Sequence, residues 1–182
     1  MEFRDLRADD IEVRVSQANE YGVVLLLYKD ARTDMSILDE TVGSDNWQNK
    51  FYENKGILFC SLGINTNYDL QKIEPSLPDR WIWKDDAGTE SNTEAEKGNA
   101  SDARKRAGFA WGIGRELYTA PFIKIAPDSL AKLKQVNGKW KCYDSFEVEG
   151  IKIENKRITG LAIRNTTTGK RCFFMHEENK NA

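Results

Sequence analysis

The chain holds a single histidine, three cysteines and four prolines among 182 residues, and each scarcity removes a class of chemistry. His176 has no serine or cysteine partner in any nucleophile motif, so a catalytic triad or dyad has no support. Cys60, Cys142 and Cys172 are odd in number, far apart and without a CxxC pair. That spacing excludes a zinc knuckle and a disulfide framework and leaves reduced, mostly buried thiols. No apolar run approaches the ~20 residues of a membrane span, and Met1 to Asp10 carries charges of both signs with no signal-peptide core. A soluble, cytoplasmic protein with no membrane partner is the expectation. The glycine-lysine pattern of a P-loop is missing. The run Trp111-Gly112-Ile113-Gly114-Arg115 follows a helical segment, the reverse of the strand-to-helix setting of a dinucleotide fingerprint. No cofactor, catalytic residue or metal site is therefore assigned.

What is present is a chain long enough for one good core, 40% hydrophobic and 31% charged, with a net charge of -2. One principal domain with an appendage fits this length. The net charge hides a division: residues 1–129 hold 16 Lys/Arg against 23 Asp/Glu, whereas residues 130–182 hold 11 against 6. A second basic island lies inside the acidic part, at Lys97, Arg104, Lys105, Arg106 and Arg115. Local fields, rather than the total, decide whether phosphate is attracted.

Alternation over Ile11 to Ser16 and the β-rich run Val23 to Tyr28 predict a hairpin. Thr33 or Asp34 can cap a short helix with apolar positions Met35, Ile37, Leu38 and Val42 and a stop at Gly43. Strands are expected at Trp47 to Glu53, Ile57 to Asn65 and Arg80 to Lys84, the first two closed by Asn54-Lys55-Gly56, forming an antiparallel meander. Asp85 to Asn99 reads as a loop entering a helix that runs to about Ile113, with Ala100, Ala103, Ala107 and Ala110 as a small-residue stripe for close packing on a sheet. Pro121 to Ile125 is extended. A short helix around Leu130 to Gln135 is expected, followed by strands at Phe146 to Ile153, Ile158 to Arg164 and Cys172 to Met175, with turns at Glu149-Gly150 and Thr168-Gly169.

The acidic residues Asp85, Asp86, Glu90, Glu94 and Glu96 raise the alternative of a metal-dependent nuclease, but they have no recognisable ligand order and read better as a solvated loop. The basic residues beside aromatics are the stronger lead. Lys97, Arg104, Lys105, Arg106 and Arg115 can bond phosphate oxygens, while Trp47, Phe51, Tyr52, Trp81, Trp83 and Tyr118 can supply stacking surface or core. At about 100° per residue, Arg104 and Arg106 flank the alanine stripe on opposite sides and Lys105 points away from it.

The order of a short helix, a three-stranded meander and a helix carrying Ala100-Ser101-Asp102-Ala103-Arg104-Lys105-Arg106-Ala107, then Trp111-Gly112-Ile113-Gly114-Arg115-Glu116-Leu117-Tyr118, resembles the Rad52-type single-strand annealing proteins. More narrowly it is similar to the phage Sak group, with Ser36-Ile37-Leu38-Asp39, Asn46-Trp47, Trp81-Ile82-Trp83-Lys84 and Ala87-Gly88-Thr89-Glu90 as further points of likeness. The resemblance spans roughly Arg32 to Ile125. It implies an α+β fold with a β-β-β-α core in residues 1–129 and a small basic β-rich extension in 130–182. It further implies ATP-independent annealing of single-stranded DNA, a homo-oligomeric ring or filament, and a basic groove in which Lys105 and Arg106 match the family's basic pair. A phage exonuclease or a single-strand-binding protein would be a partner, in the cytoplasm of a bacterial host. Departures at Phe109 and Ser44, where the Rad52 branch has arginine and tyrosine, shift the expected groove toward Arg104, Lys97 or Arg115. A protein-interaction adaptor for a recombination nuclease is the remaining alternative.

Overall fold

In the computed structural model residues 1–88, 95–127 and 130–177 are described, with the backbone alone at 95–97. The chain forms two units that each draw on separated stretches: Met1–Arg4 with Asp30–Gly114, and Asp5–Lys29 with Arg115–Ala182.

The first unit begins with helix α1 (Ala31–Val42). Its cap is Asp30, whose extended backbone lets the side chain accept from Thr33 N at 2.8 Å. The expected caps Thr33 and Asp34 instead lie in the first turn and are buried. Gly43 ends the helix at a positive φ of 86° and returns its N–H to the Asp39 carbonyl, the left-handed stop that glycine permits. Strands β3 (Trp47–Asn54), β4 (Ile57–Asn65) and β5 (Trp81–Ala87) then form the expected antiparallel meander in the order β3-β4-β5. Lys55 and Gly56, both at positive φ (53° and 75°), make the two-residue turn whose twist matches a hairpin.

Helix α2 (Tyr68–Gln71) lies in the connection from β4 to β5. Asn65, 2% exposed, pins that connection: its amide donates to Gln71 Oε1 at 2.8 Å, and its oxygen accepts from Asn67 N and Arg80 N. A buried amide this fully bonded fixes the path of the loop. The expected loop from Asp85 starts later, because β5 pairs with β4 as far as Ala87 opposite Phe59. Helix α3 (Ala95–Trp111) packs on β4 and β5. Ala103 and Ala107, both fully buried, give it the close approach that small side chains allow.

The second unit is a six-stranded antiparallel sheet in the order β11-β10-β9-β1-β2-β6, formed by β1 (Ile11–Asn19), β2 (Gly22–Lys29), β6 (Ile123–Ile125), β9 (Phe146–Glu154), β10 (Arg157–Asn165) and β11 (Lys170–His176). Glu12 and Val13 of β1 face Glu147 and Phe146 of β9. The basic tail therefore joins the N-terminal hairpin in one sheet, rather than following a boundary at residue 129.

Two local expectations are corrected. The short helix around Leu130 to Gln135 is instead the hairpin β7 (Leu133–Val136) and β8 (Lys139–Cys142), because Asn137 and Gly138 take φ of 51° and 74° and close a two-residue turn. The turn expected at Glu149-Gly150 falls at Asn155-Lys156, both at positive φ, while Gly150 stays inside β9 beside a register shift opposite Ala162 and Ile163. The chain is thus an α+β protein built mostly of antiparallel sheets with a few helices. Among the described residues no helix is long and apolar enough to cross a membrane.

Candidate nucleic-acid interface

In the first unit, the β3-β4-β5 sheet has one face backed by helices. Cys60, Leu62 and Ile64 of β4 are fully buried on it. Burial pushes the Cys60 thiol up to about 11, against the opposing pull of the Arg104 charge. The Trp111 indole on α3 donates to the Leu62 carbonyl at 2.9 Å, and the Lys84 ammonium bonds the Ala110 carbonyl at 3.0 Å while standing 4.4 Å from the Trp111 ring centroid. Trp47 donates its indole N–H to Asp39 of α1.

The consecutive cations Arg104, Lys105 and Arg106 of α3 diverge from the alanine stripe as the helical angle requires. Arg104 leans toward β3 and α1, with its guanidinium 5.5 Å from the Phe51 ring centroid and one nitrogen 3.4 Å from Met35 Sδ. Its Nε is buried and meets no acceptor among the described residues. Arg106 leans the other way, to Asp86 of β5 at 3.2 Å, with its side chain 42% exposed. Lys105 turns back along the helix to 3.9 Å from Asp102. The Lys97 side chain lies outside the described residues. Arg115 is exposed at the start of the 3-10 turn Arg115–Thr119, in the second unit, as is Tyr118. Of the five expected phosphate ligands, four belong to α3, and the three of these whose side chains are described each have a different neighbour.

The acidic cluster is not one site. Asp85 and Asp86 are consecutive on β5 and face opposite sides of the sheet, Asp85 accepting from the Tyr52 hydroxyl at 2.9 Å and Asp86 holding Arg106. Glu90, Glu94 and the side chain of Glu96 lie outside the described residues. Among the described residues, no group of three or more His, Cys, Asp or Glu could hold a metal ion.

The second face of the same sheet carries aromatic rings. Tyr52 and Phe59, opposite each other on β3 and β4, stack with centroids 5.3 Å apart and planes 10° apart. Trp81 and Trp83 sit two residues apart on β5 with centroids 6.1 Å apart. The Lys50 ammonium is 4.2 Å from the Trp83 centroid. The hydrogen bond to Asp85, with some burial, holds the Tyr52 hydroxyl above its ordinary pKa. The alternation of β3 and β5 carried the signal for this face: Gln48, Lys50 and Tyr52, and Trp81, Trp83 and Asp85, are period-two sets.

The fold and these two surfaces define a class no narrower than an antiparallel α+β protein with one sheet backed by a basic helix. No family pattern, curated protein or solved structure matches the chain.

Proposed function

We propose that the protein binds single-stranded DNA and anneals complementary strands without ATP, as an oligomer, in the manner of the Rad52-type and phage Sak-like proteins it resembles. One observation carries this reading. Residues 30–114 run as α1, the β3-β4-β5 meander and α3, with the run Arg104-Lys105-Arg106 on the helix that backs the sheet. Cations on a helix hold the sugar-phosphate backbone without reading sequence, which leaves bases available for pairing. Arg106 is suited to this exchange. Its partner Asp86 is partly exposed, and an exposed ion pair is worth only about 0–1 kcal/mol, so a phosphate can replace the carboxylate at small cost. The proposed setting is the cytoplasm of a bacterial host, with a phage exonuclease or single-strand-binding protein as partner.

The test is a titration of a labelled single strand at rising salt, followed by annealing of two complementary strands. Binding that falls steeply with salt, and annealing faster than the spontaneous rate without nucleotide, are expected. Affinity that does not change with salt would remove the phosphate-binding model. Magnesium-dependent degradation of the strand would replace it with a nuclease, and no binding at low salt would favour an adaptor.

A further inference from the structure

The two faces of the β3-β4-β5 sheet differ in chemistry, most clearly on β4. On β4 the helix-backed face takes Leu58, Cys60, Leu62 and Ile64, as fits a core, whereas on β5 it takes Ile82, Lys84 and Asp86. The second face takes Phe59, Ser61 and Gly63 from β4 and Trp81, Trp83 and Asp85 from β5, by strict alternation along each strand. A face meant to be covered by another sheet or helix is ordinarily rich in Val, Ile and Leu. This one pairs flat rings with polar groups instead. Tyr52, Lys50 and Asp85 on it are exposed, and Phe59, Trp81 and Trp83 are half-buried.

We infer that this open face is a stacking platform for the unpaired bases of single-stranded DNA, a contact separate from the phosphate-binding cations of α3; the inference rests on the single-strand reading above. Aromatic side chains on a sheet surface bind bases through their π faces and tolerate any sequence. Trp83 lies against Gly63, where an added Cβ would stand 2.7–2.8 Å from three of its ring atoms, so the indole is laid across the sheet surface rather than standing on edge. The Lys50 ammonium lies over that ring, 4.2 Å from its centroid, so a base stacking on Trp83 takes its place and the displaced cation is left next to that base's phosphate. Trp81 and Trp83 are themselves stacked, with centroids 6.1 Å and planes 29° apart, and make one aromatic surface along β5. Gln48, exposed and opposite Gly63, adds an amide able to donate to or accept from a base edge.

The test compares two labelled strands of equal length and charge, oligothymidylate and its fully abasic counterpart, bound to the full-length protein and to Trp83→Leu and Tyr52→Leu. The parent is expected to bind the base-bearing strand about tenfold or more tightly than the abasic one, on the scale of one stacked base. Each variant should lose most of that preference while holding the abasic strand as the parent does. Thermal melting checks folding, and Tyr52→Leu, at a side chain 41% exposed, keeps the test open if Trp83→Leu unfolds. Equal parental affinity for both strands overturns the platform and leaves phosphate binding standing. Variants that weaken both strands alike overturn it too, as does a preference left unchanged in a variant whose mass in light scattering drops, which makes the face a contact between copies. A parent that binds neither strand removes both proposals.

Discussion

The Trp83 indole rests on Gly63: a Cβ at residue 63 would meet Cε3 at 2.7 Å and Cδ2 and Cζ3 at 2.8 Å. Gly63→Ala must therefore push the ring off the sheet. Overpacking costs about 1–3 kcal/mol, while replacing glycine inside a strand returns about 0.5–1 kcal/mol, so a net loss of about 1 kcal/mol is expected. For a chain of this size that is a fall of roughly 2–4 °C in melting temperature. The same variant should lose base-dependent affinity. Unchanged melting together with unchanged binding would show that the ring does not need the space above residue 63.

Lys105→Ala combined with Arg106→Ala should weaken strand binding at low salt and flatten its salt dependence. Each phosphate contact contributes about 0.7 to the slope of log affinity against log salt for a single strand, so two lost contacts should lower the slope by about 1.4. Losing the Arg106 pair should cost little stability because it is partly exposed, whereas the Lys105 side chain is only 17% exposed, so thermal melting of the double variant accompanies the titration. An unchanged slope in a folded double variant would move the phosphate contacts off α3.

Ala107→Leu addresses packing alone. Ala107 is fully buried where α3 packs on β4 and β5. A larger side chain should cost about 1–3 kcal/mol, read by denaturant unfolding. A variant as stable as the parent would mean that the helix can lift from the sheet without loss.

Local signals carried much of the fold. The Lys55-Gly56 turn, the alternation of β1 and the alanine stripe each act over a few residues, and the elements they predict are present. The misses have physical causes. Leu130 and Leu133 are spaced like a helical face, yet the turn at Asn137-Gly138, where both residues adopt positive φ, outweighed that weak periodicity. Asp30, Thr33 and Asp34 are all good capping types, and only backbone conformation singles out Asp30 as the cap of α1. The pairing of β1 with β9 joins residues over a hundred positions apart and leaves no local mark, which is why a linear boundary at 129 was expected. At the site, the cations of α3 were legible as residue types. Their neighbours Asp86, Phe51 and Met35 were not, since each comes from another element.

The second unit contains a charge bridge with a pH signature. The carboxylate of Glu149 on β9 accepts from both Arg164 on β10 and Arg171 on β11, tying three strands together, with the Glu149 side chain only 18% exposed. Arg171 first and Arg164 second hold the Glu149 carboxyl below its ordinary value of 4.5. A carboxyl with a lowered folded-state pKa stabilises the fold fully above the unfolded value and loses that contribution as pH falls through the folded one. Glu149→Gln keeps the shape and removes the charge. The parent should therefore melt higher than Glu149→Gln at pH 7, and the gap should shrink steadily once pH drops below 4.5. Added salt at pH 7 should narrow it too, since both arginines reach solvent. A gap of the same size at pH 7 and pH 3 would show that Glu149 acts through packing or neutral hydrogen bonds, not through its charge.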